Sequence, residues 1–89
     1  MTICIQLGNS DNKLTQEKWS IFCGIAKAYC ADLGEIYFSG GSYTDAPWQN
    51  YCIILDTKHI ESLKSKLVAL RKEFYQDSIA WMVGKTEFI

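Results

Sequence analysis

The chain has one proline, Pro47, and one histidine, His59. A lone histidine rules out a two-imidazole metal site. The four cysteines, Cys4, Cys23, Cys30 and Cys52, include no CxxC pair, whereas zinc sites draw on four convergent ligands, usually in short-spaced pairs. No apolar run approaches the roughly 20 residues of a membrane-spanning helix. The net charge is −1, so the basic excess of a dedicated nucleic-acid binder is missing. The opening MTICIQLGNSDNK lacks the basic start, apolar centre and small-residue cleavage site of a signal peptide. These absences predict a soluble, cytoplasmic protein that binds no DNA, RNA or membrane and carries no metal or cofactor. Nothing in such a setting supports disulfides. The cysteines fall inside apolar periodic segments and read as reduced thiols acting as small hydrophobes.

What is present is a folded-domain composition. The 89 residues are 48% hydrophobic and 21% charged, which fits one small domain, residues 1–89, with a modest core. Residues 2–7, TICIQL, alternate, with Ile3, Ile5 and Leu7 on one side: a strand. Thr15 is a helix N-cap, and Leu14 can staple onto Trp19. Trp19, Phe22, Cys23, Ala26, Tyr29, Cys30 and Leu33 then recur at helical spacing. Gly34 is expected to close this helix as a left-handed cap. Residues 35–39, EIYFS, read as a strand with Ile36 and Phe38 on one face. Residues 50–55, NYCIIL, are almost continuously apolar and read as a central strand. Asp56 or Thr57 is the expected cap of a second helix, whose stripe is Ile60, Leu63, Leu67, Leu70 and Phe74. SIAWMV is a fourth strand, with Ile79, Trp81 and Val83 together.

Strand, helix, strand, strand, helix, strand is the order of the ferredoxin-like sandwich. That is an α+β fold with two helices on one face of a four-stranded antiparallel sheet. Its topology gathers three connections at one end, the upper end: GNSDNK, GGSYTDAPWQN and YQDS. Asn9, Ser10, Asp11, Tyr43, Asp45, Trp48, Gln49, Asn50, Gln76 and Asp77 therefore form the predicted ligand- or partner-binding cluster. Pro47 fixes one backbone angle in the loop that carries Trp48. A restrained aromatic beside amides and carboxylates is the composition of a recognition site. A two-residue turn would join the two strands, so the longer connection asks for a reason. The competing reading is structural. Asn, Asp, Ser and Gly are turn formers, and Trp48 would then fold back to plug the sandwich, with Gln49 and Asn50 capping backbone groups.

Nucleophilic catalysis has little to draw on there. His59 falls at the opposite end, and the cysteines lie within strands and the first helix, so no Ser-His-Asp or Cys-His arrangement forms and no catalytic residue is assigned. Asp11, Asp45 and Asp77 are the only acid–base candidates. GNSDNK opens a helix, whose N-terminus favours anions, but its spacing matches neither a Walker loop nor a dinucleotide fingerprint. Lys58, Lys64, Lys66, Arg71 and Lys72 on the second helix, interspersed with Glu61 and Glu73, read as a solvated face. The sheet face away from the helices would carry Cys4, Gln6, Tyr37, Cys52, Ile54, Ala80 and Met82. It has one aromatic, Tyr37, and no RNA-binding signature. Tyr37, Cys52, Ile54 and Met82 are the predicted sheet-face contact, for a homodimer or a partner.

GNSDNKLTQ followed by a tryptophan helix, DAPWQN, and QDSIAW near the C-terminus together resemble a set of small bacterial proteins of uncharacterised function. The resemblance runs over nearly the whole chain and implies no activity. Its motifs are the same three upper-end segments. The expectation is a non-enzymatic binding module: a small inhibitor or sequestering protein, of immunity or anti-defence type, that takes a protein partner or a small nucleotide-like ligand at that end. The biological setting is analogy from size, acidity and lack of catalytic groups. The alternatives are a small enzyme using Asp11, Asp45 or Asp77, or an oligomerising structural protein.

Overall fold

Ile3, Ile5 and Leu7 are buried because alternate residues of a strand face the same way, and here that way is toward two helices. The computed structural model describes residues 1–9, 11–42 and 48–89. Its elements are β1 (Thr2–Gly8), α1 (Gln16–Leu33), β2 (Gly34–Gly41), β3 (Asn50–Thr57), α2 (Ile60–Glu73) and β4 (Ala80–Gly84). The strands form one antiparallel sheet in the order β2-β3-β1-β4. This is the ferredoxin-like α+β sandwich, with β1 and β3 central.

The core is a single cluster. Ile3, Ile5 and Leu7 of β1 and Ile53 and Leu55 of β3 meet Phe22, Ala26 and Cys30 of α1 and Leu63, Leu67 and Leu70 of α2. Each fully buried aliphatic or aromatic side chain contributes about 1.5–3 kcal/mol. Phe22 packs on Phe74 with ring centroids 5.2 Å apart, which ties the two helices together. Thr15 caps α1 as expected, its Oγ1 accepting from the Lys18 amide at 3.2 Å. Leu14 is buried, and Trp19 packs against the same cluster.

Three local expectations are corrected. Gly34 is not a left-handed cap. It is extended (φ −162°, ψ −168°) and is the first residue of β2, so α1 passes into the sheet without a loop. Glycine is needed there for space, since a Cβ would lie 2.3 Å from the Asp56 carbonyl oxygen. Asp56 and Thr57 do not cap α2, because β3 runs on through both. The N-cap is His59, without a side-chain cap bond. The Thr57 hydroxyl serves the junction instead, donating to the Leu33 carbonyl and accepting from the His59 amide.

The third correction concerns β2. Ile36 sits opposite Leu55, but Phe38 sits opposite Ile54, with a register shift between them. A bulge adds one residue to a strand and re-aims the side chains beyond it. Ile36 therefore faces the helices, while both Tyr37 and Phe38 emerge on the open face of the sheet. The Phe38 ring lies over Gly40, where an added Cβ would come within 3.1 Å of it.

At the far end of α2 the Gln76 amide donates to the Arg71 carbonyl and the Tyr75 amide to the Lys72 carbonyl. That is a Schellman closure, which needs a left-handed residue. The residue is Tyr75 (φ 55°) rather than glycine.

Two stability changes of opposite sign are expected. Gly34→Ala is expected to lose about 2 kcal/mol or more, since the obstructing atom is backbone and cannot rotate away. Tyr75→Gly is expected to gain about 0.5–1 kcal/mol by relieving the left-handed conformation at an exposed site. Urea unfolding of both variants measures each sign.

Candidate functional site

The inward phase of the two central strands continues past their ends. Ile3, Ile5 and Leu7 lead to Asn9, and Leu55, Ile53 and Tyr51 lead back to Gln49. The Asn9 amide donates to the Gln49 carbonyl at 2.9 Å, which extends the β1–β3 ladder by one more pair. Both side chains are buried and fully engaged. Asn9 Nδ2 donates to the Leu14 carbonyl and to Gln49 Oε1, each at 3.0 Å, and Asn9 Oδ1 accepts from the Leu14 amide. Gln49 Oε1 also accepts from Gln16 Nε2 at 2.9 Å, while Gln49 Nε2 donates to Gln16 Oε1 at 2.6 Å. Three amides from β1, α1 and the hairpin thus close the upper end of the core, leaving no buried side-chain polar atom unpaired among the described residues. Net hydrogen-bond gains are modest, but a broken buried network leaves groups stripped of both water and partners.

Trp48 has the opposite phase. It continues the outward row Ile54, Cys52, Asn50, and it is 72% exposed. It does not plug the sandwich, since Gln49 does that. Trp48 stands at a cavity of about 400 Å³ on the open-face side of the upper end, with Gln6, Asp11, Asn50, Gln76, Asp77 and Ser78 among its walls. Asn50 closes the hairpin through its backbone, its amide donating to Ser42 Oγ at 3.0 Å and its carbonyl accepting from the Ser42 amide. Gln76 is buried, its Nε2 donating to the Phe74 carbonyl.

Two of the three candidate acid–base aspartates, Asp11 and Asp77, are joined rather than free. Lys13 Nζ lies 3.0 Å from Asp77 Oδ2 and 3.6 Å from Asp11 Oδ2. The hydrogen bond to Asp77 holds the Lys13 ammonium above its ordinary pKa, with help from Asp11. All three groups are largely solvated, so the bridge fixes loop position more than it adds stability.

The three upper-end connections therefore converge as the topology requires. Asn9, Asp11, Trp48, Gln49, Asn50, Gln76 and Asp77 meet there, but in two roles. Asn9 and Gln49 spend their side chains on the scaffold, while Asp11, Trp48, Asn50 and Asp77 face outward. Ser10, Tyr43 and Asp45, with Pro47, lie outside the described residues. Lys13, Gln16 and Gln6 were not predicted for the site. Lys13 was legible as the one cation in GNSDNK, and Gln6 as the last outward side chain of β1 before Gly8.

On the open face below the cavity, Cys52 and Ile54 are half-buried, and Tyr37, Phe38 and Met82 are exposed. Residues after β4 turn back across the lower end of this face. The Thr86 hydroxyl pairs with that of Thr2, and the Phe88 ring meets Tyr37 edge-on at 6.4 Å. Among the described residues no three His, Cys, Asp or Glu side chains group to hold a metal ion, and no helix is long and apolar enough to cross a membrane. No family model, curated protein or solved structure matches the chain.

The thiols differ mainly in access, since partial burial and the neighbouring Cys4 thiol also raise the Cys52 pKa. Burial pushes Cys23 up to about 12 and Cys30 up to about 11. Cys4 and Cys52 are half-buried on the open face. Because only the half-buried pair is open to reagent, iodoacetamide is expected to label Cys4 and Cys52 in the native protein and all four cysteines in urea, as read by intact mass. The buried pair also sets a pH response. A pKa raised by folding contributes stability that is whole below the unfolded value of 9.0 and is lost as pH climbs toward 11–12.

The two neighbours in the hairpin should differ sharply on truncation. Gln49→Ala is expected to cost about 1–3 kcal/mol. Trp48→Ala is expected to stay within about 0.5 kcal/mol. Thermal unfolding of the pair tests whether the amide or the indole closes the fold.

Proposed function

We propose that this chain is a non-enzymatic binding module that takes a protein partner at the upper end of its open sheet face, with Trp48 as the anchoring side chain. One observation carries the reading: a tryptophan 72% exposed beside a glutamine that is buried and clamped. An indole held out from a fixed backbone loses little freedom on binding, and such aromatics dominate interface energetics. Around it lie the acceptors a partner's donors require, Asp11, Asp77 and Asn50. Below it runs an apolar strip, Cys52, Ile54, Phe38 and Met82, of the kind that marks protein contacts. The segment after β4 occupies the lower end of the same face, which leaves the upper part for the partner. Binding is then itself the act, as in an inhibitor or sequestering protein. Lys13 between Asp11 and Asp77 favours recognition over acid–base work by that pair.

The test is affinity capture with three baits: the wild-type chain, Trp48→Ala, and Asp11→Asn combined with Asp77→Asn. A protein held by wild type, lost on Trp48→Ala and weakened on the aspartate changes supports the reading. Native mass spectrometry of the same eluates resolves the alternatives. A nucleotide-sized adduct that depends on Trp48 replaces the protein partner with a small ligand. Equal capture by all three baits overturns the assignment.

A further inference from the structure

We propose that Cys4, Cys52 and Met82 form a three-sulfur site for a soft monovalent metal ion, copper(I), on the open face of the sheet. Cys4 Sγ and Cys52 Sγ are 3.7 Å apart across β1 and β3. Met82 of β4 stands directly opposite Cys4 in the register. Directly opposed residues share a face, so one thioether and two thiols belong to the same side of three adjacent strands. No other described cysteine reaches that side, since Cys23 and Cys30 are buried in the core.

At 3.7 Å the two thiols are in S–H···S contact, a spacing that also suits a bridging metal. In the register Cys4 opposes Ile54 and Cys52 opposes Gln6, so the two cysteines are diagonal neighbours. Diagonal neighbours have Cα atoms about 7–8 Å apart, outside the range of about 4.4–6.8 Å usual for a disulfide. A metal lengthens the bridge. Two metal–sulfur bonds of about 2.3 Å, opened to a tetrahedral or trigonal angle, place their sulfurs about 3.8–4.0 Å apart. The observed 3.7 Å already lies within a few tenths of an ångström of that separation.

The donor set selects the ion. Zinc takes thiolate, imidazole and carboxylate, usually four of them, and this face offers only two thiols and a thioether. Thiolate with thioether is the pairing that suits copper(I). Ile54 and Phe38 beside the sulfurs supply an apolar surround, which limits water at the ion. Binding replaces the two thiol protons: one copper(I) enters, two protons leave, and no electron is transferred.

The experiment is titration of the reduced chain with copper(I) under a chelator that competes for it, with native mass spectrometry on the same samples. The expected result is one copper per chain, with the mass of two protons lost. Cys4→Ser and Cys52→Ser should each weaken binding about 100-fold or more, and Met82→Leu about tenfold, in line with the softness of the lost ligand. Met82 is 47% exposed, so its replacement leaves the core intact. If a serine variant does not fold, the same cysteine is replaced by alanine. Undiminished copper binding in the double cysteine variant overturns the site. Unchanged affinity in Met82→Leu overturns the three-sulfur assignment. A Cys4–Cys52 disulfide formed with oxidised glutathione, in a chain that takes no copper, overturns it in favour of a redox pair.

Discussion

Asn9, Gln49 and Gln16 hold the position on which the upper end depends. The core row of β1 and β3 is apolar up to Leu7 and Tyr51, then turns to amides at the next inward step. Aliphatic side chains there would have left the Leu14 amide and carbonyl, at the entry to α1, without partners in a buried setting. The amides satisfy that backbone and one another, and so they fix the approach of the hairpin to the start of the helix. Everything outward of them inherits that position. Trp48 is exposed beside a residue whose side chain is hydrogen-bonded to both Asn9 and Gln16.

The bulge in β2 acts similarly on the open face. An unbroken strand would have sent Phe38 toward the helices and left Tyr37 as the one aromatic outside. The extra residue spares the core a large ring and places two aromatics side by side on an edge strand. Phe38 then covers Gly40, a position with no side chain of its own to shield the sheet. Tyr37 gains Phe88 as a neighbour, which brings the segment after β4 across the lower end. One irregularity thus changes the makeup of the whole surface.

The alternation of Ile3, Ile5 and Leu7 and the helical stripes made the fold legible in the sequence, because burial on one face leaves a strict period. The errors arose where period alone is silent. Two adjacent aromatics carry no mark of which one a bulge leaves unpaired. A glycine after a helix looks like a cap unless the approach of a distant strand, here at Asp56, is known. At the candidate site the right end was legible, but the roles within it were not. Asparagine and glutamine look alike in a loop whether they face water or one another, and the Asn9–Gln49 pair spans forty residues. One signal was there to be used. Carrying the period-two phase of NYCIIL back across Asn50 puts Gln49 inward and Trp48 outward, which reverses the plug reading of the tryptophan.

A two-layer sandwich has to dispose of the sheet face its helices do not cover, and this chain divides that face into three zones. The upper zone is polar, with Gln6 and Asn50 at the cavity beside Trp48. The lower zone is covered by the chain itself, through Thr86 and Phe88. The middle is neither polar nor covered: apart from Ile54, its side chains Cys4, Cys52, Ala80 and Met82 on the central strands and β4 are small or soft. Branched aliphatics at all of these positions would have made a continuous patch prone to association. Charged residues there would have been placed against apolar neighbours on strands with little room for water. Sulfur is intermediate, apolar enough to sit half-buried beside Ile54 and polarisable enough to serve as a ligand. The residues that solve the exposure problem at the centre of the sheet are therefore the same ones that give it chemistry.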